Sequence, residues 1–394
     1  MQKFSTIWLF LNLYILKILI SCTKIFLKPN KERKSRSVLY LENFPIENSG
    51  YQYRVEKWAK KLTDKGYYTV IKTTNKDISS YDFNQMNLGL YLTRSMWLRF
   101  CQICYSRKFQ FVIVRRELLL YNDYGNLFMD KFLLYYHPTA ILDFDDDIIS
   151  SKNEPKKLKG FIPILLQEHS SKFSETLLLY NNFIVASDYL KQLVVNYRFD
   201  SNYRITVIPT CVDYLKFEKK NYIPKQKLTL GWIGGNQNYF LLDSLIPVLD
   251  KLFLKYDFDL LVIGGNKYNK QCSFPVSFKK WELRSEIDSL YNIDIGLMPL
   301  DRSKISKGKG GFKLIQYMGI GVVSIASNVT INKQIIDDKI NSFLANSDEE
   351  WYALLEQILI GKINLSAMGD LARKKIQSKY TFDCNLNKYL NIFQ

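Results

Sequence analysis

The sequence predicts an α/β protein of two doubly wound, Rossmann-like domains facing across a cleft, preceded by a membrane-associating helix. Three observations predict it. From residue 37 onward short β-rich runs alternate with helical stretches, the alternation halts over residues 209–226, and it then restarts. The first 36 residues stand apart as an apolar run closed by a basic cluster. A length of 394 residues exceeds one ordinary domain and suits two. With 47% apolar and 24% charged residues, the composition is globular and excludes wholesale disorder and fibrous repeats.

Residues 7–27 are mostly apolar, and Lys28, Lys31, Arg33, Lys34 and Arg36 follow. The segment has neither the charged start nor the small-residue cleavage site of a secretory signal. Asn12, Lys17 and Lys24 interrupt the clean apolar run that a spanning helix needs. Lys17, Ser21, Lys24 and Lys28 recur at helical spacing and form a polar stripe opposite Trp8, Leu9, Leu16, Leu19, Ile20 and Phe26. Such a helix lies in a membrane interface, and an anionic membrane surface is the partner. The amino-terminal half is apolar on nearly every side, so a single spanning anchor stays open, with the basic cluster then holding the body in the cytoplasm. A helix packed on the protein itself is the third reading.

The first domain covers residues 37–208. Strands are expected at 37–43, 67–72, 109–114, 139–144, 183–186 and 205–208, because each is a short apolar run of the kind buried in parallel sheets. A helix over 53–65 carries Val55, Trp58, Ala59 and Leu62 on one face and stops at Gly66. A long helix fills 87–107 after a polar loop. Residues 209–226, rich in lysine and without periodicity, read as a linker. The second domain, 227–375, has strands at 228–233, 260–263, 294–298, 322–326 and 342–345. The remainder, 376–394, is helical and expected to pack back on the first domain.

Six cysteines are too few for a disulfide scaffold, and the chain reads as reduced and cytosol-facing. Cys101 and Cys104, the one CxxC pair, fall in a helical stretch and are expected as buried thiols. The 55 lysines and arginines against 38 acids give a net charge of +17, which suits an anionic partner. No RNP, helix-turn-helix or zinc-finger pattern accompanies that charge, so nucleic acid is not the expected partner and a basic nucleic-acid-binding protein stays only as the least favoured alternative. His137 and His169 are the only histidines and neither has metal-ligand or triad spacing, so no metal site is expected.

Four stretches hold candidate chemistry. Gly308, Gly310 and Gly311 precede a helix starting at Phe312, with Lys309 and Lys313 beside it. Backbone N–H groups at a helix start together with two ammonium groups suit a pyrophosphate, although a plain glycine turn with solvated lysines has the same spacing. The loop at Gly234 and Gly235 can wrap a phosphate or sugar, or simply turn a strand into a helix. Residues 143–147 (DFDDD) end a strand, where Asp145 and Asp146 can orient a hydroxyl or accept its proton; a helix cap is the alternative. Arg54 and Arg116 can pair with phosphate or form ordinary ion pairs.

The segment 294–327, DIGLMPLDRSKISKGKGGFKLIQYMGIGVVSIAS, resembles the donor-binding core of bacterial group 1 (family 4) glycosyltransferases. VLYLENFP, GYQYRVEKWAKKL, VRREL, LDFDDDI, VIPTCVD, LGWIGG and residues 281–286 fall in family order. The resemblance implies the two-domain GT-B fold and retaining transfer of a hexose from a nucleotide sugar, with no further cofactor. The acceptor implied is a glycan or lipid-linked glycan of a cell-surface polysaccharide, assembled at the cytoplasmic face of the inner membrane. By the same resemblance Lys309, Gly310, Gly311 and Phe312 cradle the donor pyrophosphate, and Lys313 faces its phosphate or sugar. Gln316 stands where many members place a ribose-binding Glu. The partner Glu, eight residues earlier, is Gly308, and the Arg and Lys usual after the glycine loop are Asn236, Gln237 and Asn238. These departures leave open a protein that keeps the fold without the transfer.

Overall fold

The computed structural model describes residues 2–30, 32–74, 88–119, 127–152, 172–213, 217–223, 225–264 and 267–394. The polar loop over 75–87 and His169 lie outside the described residues. Two compact α/β units result: Met1–Pro209 with Lys388–Gln394, and Thr210–Asn387.

The first unit is built on a parallel sheet of β1 (Lys34–Glu42), β2 (Tyr68–Thr73), β3 (Phe109–Arg115), β4 (Ile141–Phe144), β5 (Asn182–Val185) and β6 (Arg204–Val207). Its order is β2-β1-β3-β4-β5-β6. Val38, Leu39, Tyr40 and Leu41 are all buried although they alternate across the sheet, because both of its faces are covered. Winding reverses between β1 and β3, so Glu42 and Arg115 mark the point where such sheets bind ligands.

The helix after β1 starts at Ser49, where Asn48 caps the Tyr51 N–H at 3.2 Å. It passes through a π-helical turn at Gln52–Glu56 and continues as Lys57–Asp64. Gly66, with φ +81°, supplies the left-handed residue that ends it. Trp58 on its buried face stacks on Tyr389 with ring centroids 4.0 Å apart. The Tyr389 hydroxyl meets that of Tyr40 at 3.1 Å. These contacts attach the last seven residues, Lys388–Gln394, to the first unit. An aromatic pair of this kind adds about 0.5–1.5 kcal/mol beyond its burial.

The first helix, Gln2–Phe26, is not free of the body. Leu9, Leu13, Leu16 and Ile20 are buried in the core of the first unit. Trp97, on the helix Leu88–Ser106, donates from Nε1 to Asn12 Oδ1 at 2.8 Å. Leu9, Leu16 and Ile20, three residues assigned to the membrane face from the sequence, therefore face protein. Trp8 and Phe26 remain exposed. The expected apolar face was drawn opposite a single lysine stripe, whereas the helix has apolar residues on two sides. Cys101 is exposed and Cys104 half-buried, contrary to the expected pair of buried thiols, because the buried face of this helix runs through Leu92, Met96, Arg99 and Ile103.

The second unit carries β7 (Leu228–Gly234), β8 (Phe258–Gly264), β9 (Val276–Lys280), β10 (Ile295–Met298), β11 (Val323–Ser327) and β12 (Phe343–Ala345). All pairs are parallel, in the order β12-β11-β10-β7-β8-β9. Leu260 and Val262 enter the core on one face, Leu261 and Ile263 that on the other. β9 was not expected from the sequence. It is an edge strand reading VSFKK whose residues are half-buried or exposed, so it lacks an apolar run.

Residues 209–226, read as a linker, belong from Thr210 to the second unit. Cys211, Val212 and Phe217 are fully buried. Lys220 is also buried and contacts Asp294 Oδ1 at 2.9 Å and the Tyr291 carbonyl at 2.8 Å. Asp294 further accepts the Thr229 N–H at 2.9 Å and the Lys225 ammonium at 3.0 Å. Lys220 and Lys225 neutralise this buried carboxylate, whereas Lys219 pairs with Asp370 at 2.7 Å. Burial works to raise the Asp294 carboxyl, but the Thr229 N–H and the Lys220 ammonium outweigh it, leaving its pKa below the usual range.

Asp294→Ala leaves Lys220 buried without its counter-charge and is expected to destabilise the second unit by about 3–5 kcal/mol, read by denaturant unfolding. Because the folded pKa is depressed, the stabilisation from Asp294 is complete above the unfolded carboxylate pKa and is lost as pH falls through the folded value. The gap between wild type and variant is therefore expected to narrow in acid.

Candidate functional site

In the second unit the strand order reverses between β7 and β10, and a ligand of such a sheet sits beyond the carboxyl ends of these strands. β7 ends at Gly234; Gly235 follows, then a short turn at Asn236–Asn238. Lys313 arrives at this end from the first turn of the helix Phe312–Gly319, with Nζ 4.0 Å from the centroid of the Trp232 ring. A Cβ at Gly234 would stand 2.6 Å from Lys313 Nζ and 2.5 Å from the far edge of Trp232. The bare backbone at 234 is what gives the lysine its place. Lys309, on the loop before the helix, donates to Asn238 Oδ1 at 2.8 Å.

Two sequence-distant glycine segments and two lysines thus converge at one sheet end. Burial and the nearby Lys309 charge push the Lys313 ammonium well below the ordinary lysine range. An anion placed here would relieve both effects, and a phosphate offers the oxygens to do so. Trp232 and Asn238 are components that spacing alone does not disclose. Trp232 lies within the glycine-loop motif, but only the folded strand turns its ring under residue 313.

The glycines of the 308–311 loop divide by role. Gly308 closes the short helix Lys304–Lys307. Gly311 has φ +67° directly before Phe312, and a Cβ there would strike Ile335 and Ile331. Its requirement comes from starting the helix against its neighbour. Gly310 lies between Lys309 and Gly311, and Phe312 packs half-buried on the core.

Gln316 is buried, and its Nε2 donates to Glu286 Oε1 at 2.7 Å. The same oxygen accepts Trp281 Nε1 at 3.0 Å. The buried carboxylate near position 316 therefore comes from Glu286, thirty residues earlier in the chain. No local spacing links the two positions.

In the first unit, charged groups gather at the ends of β1, β3 and β4. Arg54 is buried: it pairs with both oxygens of Asp143 and donates from Nη1 to the Ile208 carbonyl at 2.6 Å. Arg54 thus forms the ion pair that was the alternative to phosphate pairing. The π-helical turn carries its guanidinium inward, where the sheet supplies an acid. Arg115 donates from Nη2 to Asp145 at 2.9 and 3.0 Å and lies 3.7 Å from Glu42. Burial works to raise the Asp145 carboxyl, but Arg115, Arg116 and Arg54 outweigh it and hold it below the usual carboxylate range. Asp145 is consequently an ionised acceptor. Asp146 and Arg116 are half-buried, and Arg116 holds a left-handed backbone with φ +62°. Burial keeps His137 neutral, its pKa lowered to about 4.

No family model and no curated protein matches the chain. Solved structures do. Sucrose-phosphate synthase of Thermosynechococcus elongatus superposes with a TM-score of 0.64 at 9% identity, over 91% of this chain and 98% of that one. The catalytic domain of starch synthase IV from Arabidopsis thaliana, bound to ADP and acarbose, gives 0.60 at 12% identity, over 91% and 98%. Anabaena HepE, in complex with UDP and glucose, gives 0.59 at 9% identity, over 90% and 99%. At these identities the likeness is one of fold: the chain has the two-domain α/β architecture of GT-B glycosyltransferases.

Two expected outcomes separate structural from binding charges. Arg54→Ala leaves Asp143 buried and unpaired and is expected to lower stability by about 3–5 kcal/mol in denaturant unfolding. Gly234→Ala, which crowds both Lys313 and the buried Trp232 ring, is expected to weaken binding of a nucleoside diphosphate in calorimetry and to lower stability by only about 1–3 kcal/mol.

Proposed function

We propose that the protein is a glycosyltransferase that moves a sugar from a nucleotide donor to a glycan or lipid-linked acceptor in cell-surface polysaccharide synthesis. The observation that carries this is the meeting of Lys309, Lys313 and the Gly234–Gly235 loop at the strand-order reversal of the second unit. The fold shared with sugar-transferring enzymes, and the UDP and ADP in the HepE and starch synthase IV structures, support the reading.

In this reading the donor diphosphate lies against the helix start at Phe312. As the bond to the sugar breaks, negative charge grows on the departing nucleoside diphosphate, and Lys309 and Lys313 stabilise it more than they stabilise the ground state. Gln316, held by Glu286, contacts the ribose hydroxyls. Asp145, kept ionised by Arg115, and its neighbour Asp146 orient the acceptor hydroxyl. The transfer is of hexose type with retention, needs no cofactor, and takes place at the cytoplasmic face of a membrane.

A second reading keeps the fold without the chemistry. Gly308 and Gln316 stand in place of a glutamate pair, and the Gln316 amide is tied to Glu286. A thermal-shift screen against nucleoside diphosphates and nucleotide sugars distinguishes the readings, since a ligand of the folded state raises the midpoint by mass action. A selective shift with one base, followed by turnover of its sugar, is expected. A shift without turnover for any sugar would favour the second reading.

Lys309→Ala is expected to cut kcat/KM by about 100-fold or more with little change in melting. Donor affinity is expected to fall as pH rises through the depressed Lys313 pKa, because the diphosphate binds the protonated amine. Lys313→Arg, always charged, is expected to remove that dependence in binding titrations at several pH values.

A further inference from the structure

The first helix presents a second apolar face away from its buried one. Ile7, Leu11, Tyr14, Ile18 and Ile25 are exposed at 67%, 50%, 67%, 49% and 69%, and Trp8 beside them at 50%. A run of large exposed apolar side chains on one helix opposes the hydrophobic effect unless something covers it. Along one flank the Lys17 and Lys24 ammonium groups lie over the rings of Phe128 and Tyr135, at 5.4 and 5.3 Å. Their stems cover apolar surface while their charges sit at its border.

At the carboxyl end of this helix more cations assemble from distant segments. Arg107 donates to the Lys28 carbonyl at 2.7 Å, and Arg33 to the Tyr136 carbonyl at 2.5 Å. Lys34 lies 3.3 Å from the Tyr68 ring, and Lys108 5.3 Å from that of Tyr105. The turn after the first helix and the turn before β3 thus form one basic collar, although some 75 residues separate them in sequence.

We propose that the exposed face of the first helix, together with this collar, docks on an anionic phospholipid bilayer, with the helix lying in the interface and not crossing it. The occupant follows from charge. Apolar side chains bordered by lysine and arginine match acyl chains beneath anionic headgroups. A second copy would bring the same cations against this rim, on a chain whose net charge is +17. Crossing the bilayer would require withdrawing Leu9, Leu13, Leu16 and Ile20 from the core and breaking the Trp97–Asn12 hydrogen bond. The proposal does not depend on the transferase reading, because vesicle binding and nucleotide binding are measured separately.

The test is flotation of the full chain with vesicles of phosphatidylcholine alone or with one third phosphatidylglycerol. Binding to the anionic vesicles, weakened by salt and reversed by alkaline carbonate, is expected. Leu11→Ser with Ile18→Ser and Ile25→Ser is expected to reduce it by about tenfold or more, with the circular-dichroism melt unchanged because all three side chains are already in water. Lys28→Glu with Lys34→Glu and Lys108→Glu is expected to abolish the preference for anionic lipid. Failure of the folded full chain to bind either vesicle would overturn the proposal, as would equal binding to both. Retention through carbonate would show a crossing helix. A concentration-dependent dimer abolished by the serine variant would assign the face to a second copy.

Discussion

Parallel strand pairing is the constraint from which the rest follows. A parallel strand cannot return through a tight turn, so each connection crosses a face of the sheet and covers it. Both faces then need apolar residues, which is why Val38 through Leu41 are all buried and why β8 feeds two separate cores. The carboxyl ends of the strands are left to the loops. Where strand order reverses, adjacent connections leave on opposite faces and the strand ends between them stay open. Both units place their unusual charges at such a point: Glu42 and Arg115 in one, the Gly234 loop with Lys313 in the other.

The two strand-order reversals treat charge differently. In the first, arginines and acids are matched: Arg54 with Asp143, Arg115 with Asp145 and Glu42. Such pairs hold geometry, and removing one member costs more than the pair contributes. In the second, Lys309 contacts a neutral amide and Lys313 an aromatic ring. An aromatic ring does not cancel the charge of Lys313. A cation held against an indole and crowded by another cation favours the arrival of an anion, and the depressed Lys313 pKa expresses that preference.

The first helix shows the hydrophobic effect acting twice. One face completes the core of the first unit, sealed by Trp97 on Asn12; the opposite face stays exposed between lysines. Apolar run length alone suggests a membrane segment, yet one face of the run is used within the protein. The same ambiguity attends the lysine-rich stretch after β6, whose composition resembles a tether and whose Lys220 is buried on Asp294. Composition reports how many charges a segment has. It does not report which of them find a partner.

By itself the sequence determined the alternation of strands and helices, because short apolar runs and helical periodicity are local properties of the chain. Among the described residues eleven of the twelve strands lie where such runs occur, and β9 escapes because an edge strand buries too little to carry one. Local spacing also marked the glycine–lysine loop. Only the tertiary structure decided which charges are free to meet a ligand. Arg54 and Lys313 read alike as basic residues near a helix start, but one is turned into the sheet onto Asp143 and the other is left over Trp232. Glu286 reaches Gln316, and Arg107 reaches Lys28, only because strands distant in the chain become neighbours. Long-range electrostatics and side-chain direction are set by packing, and no window along the sequence contains them.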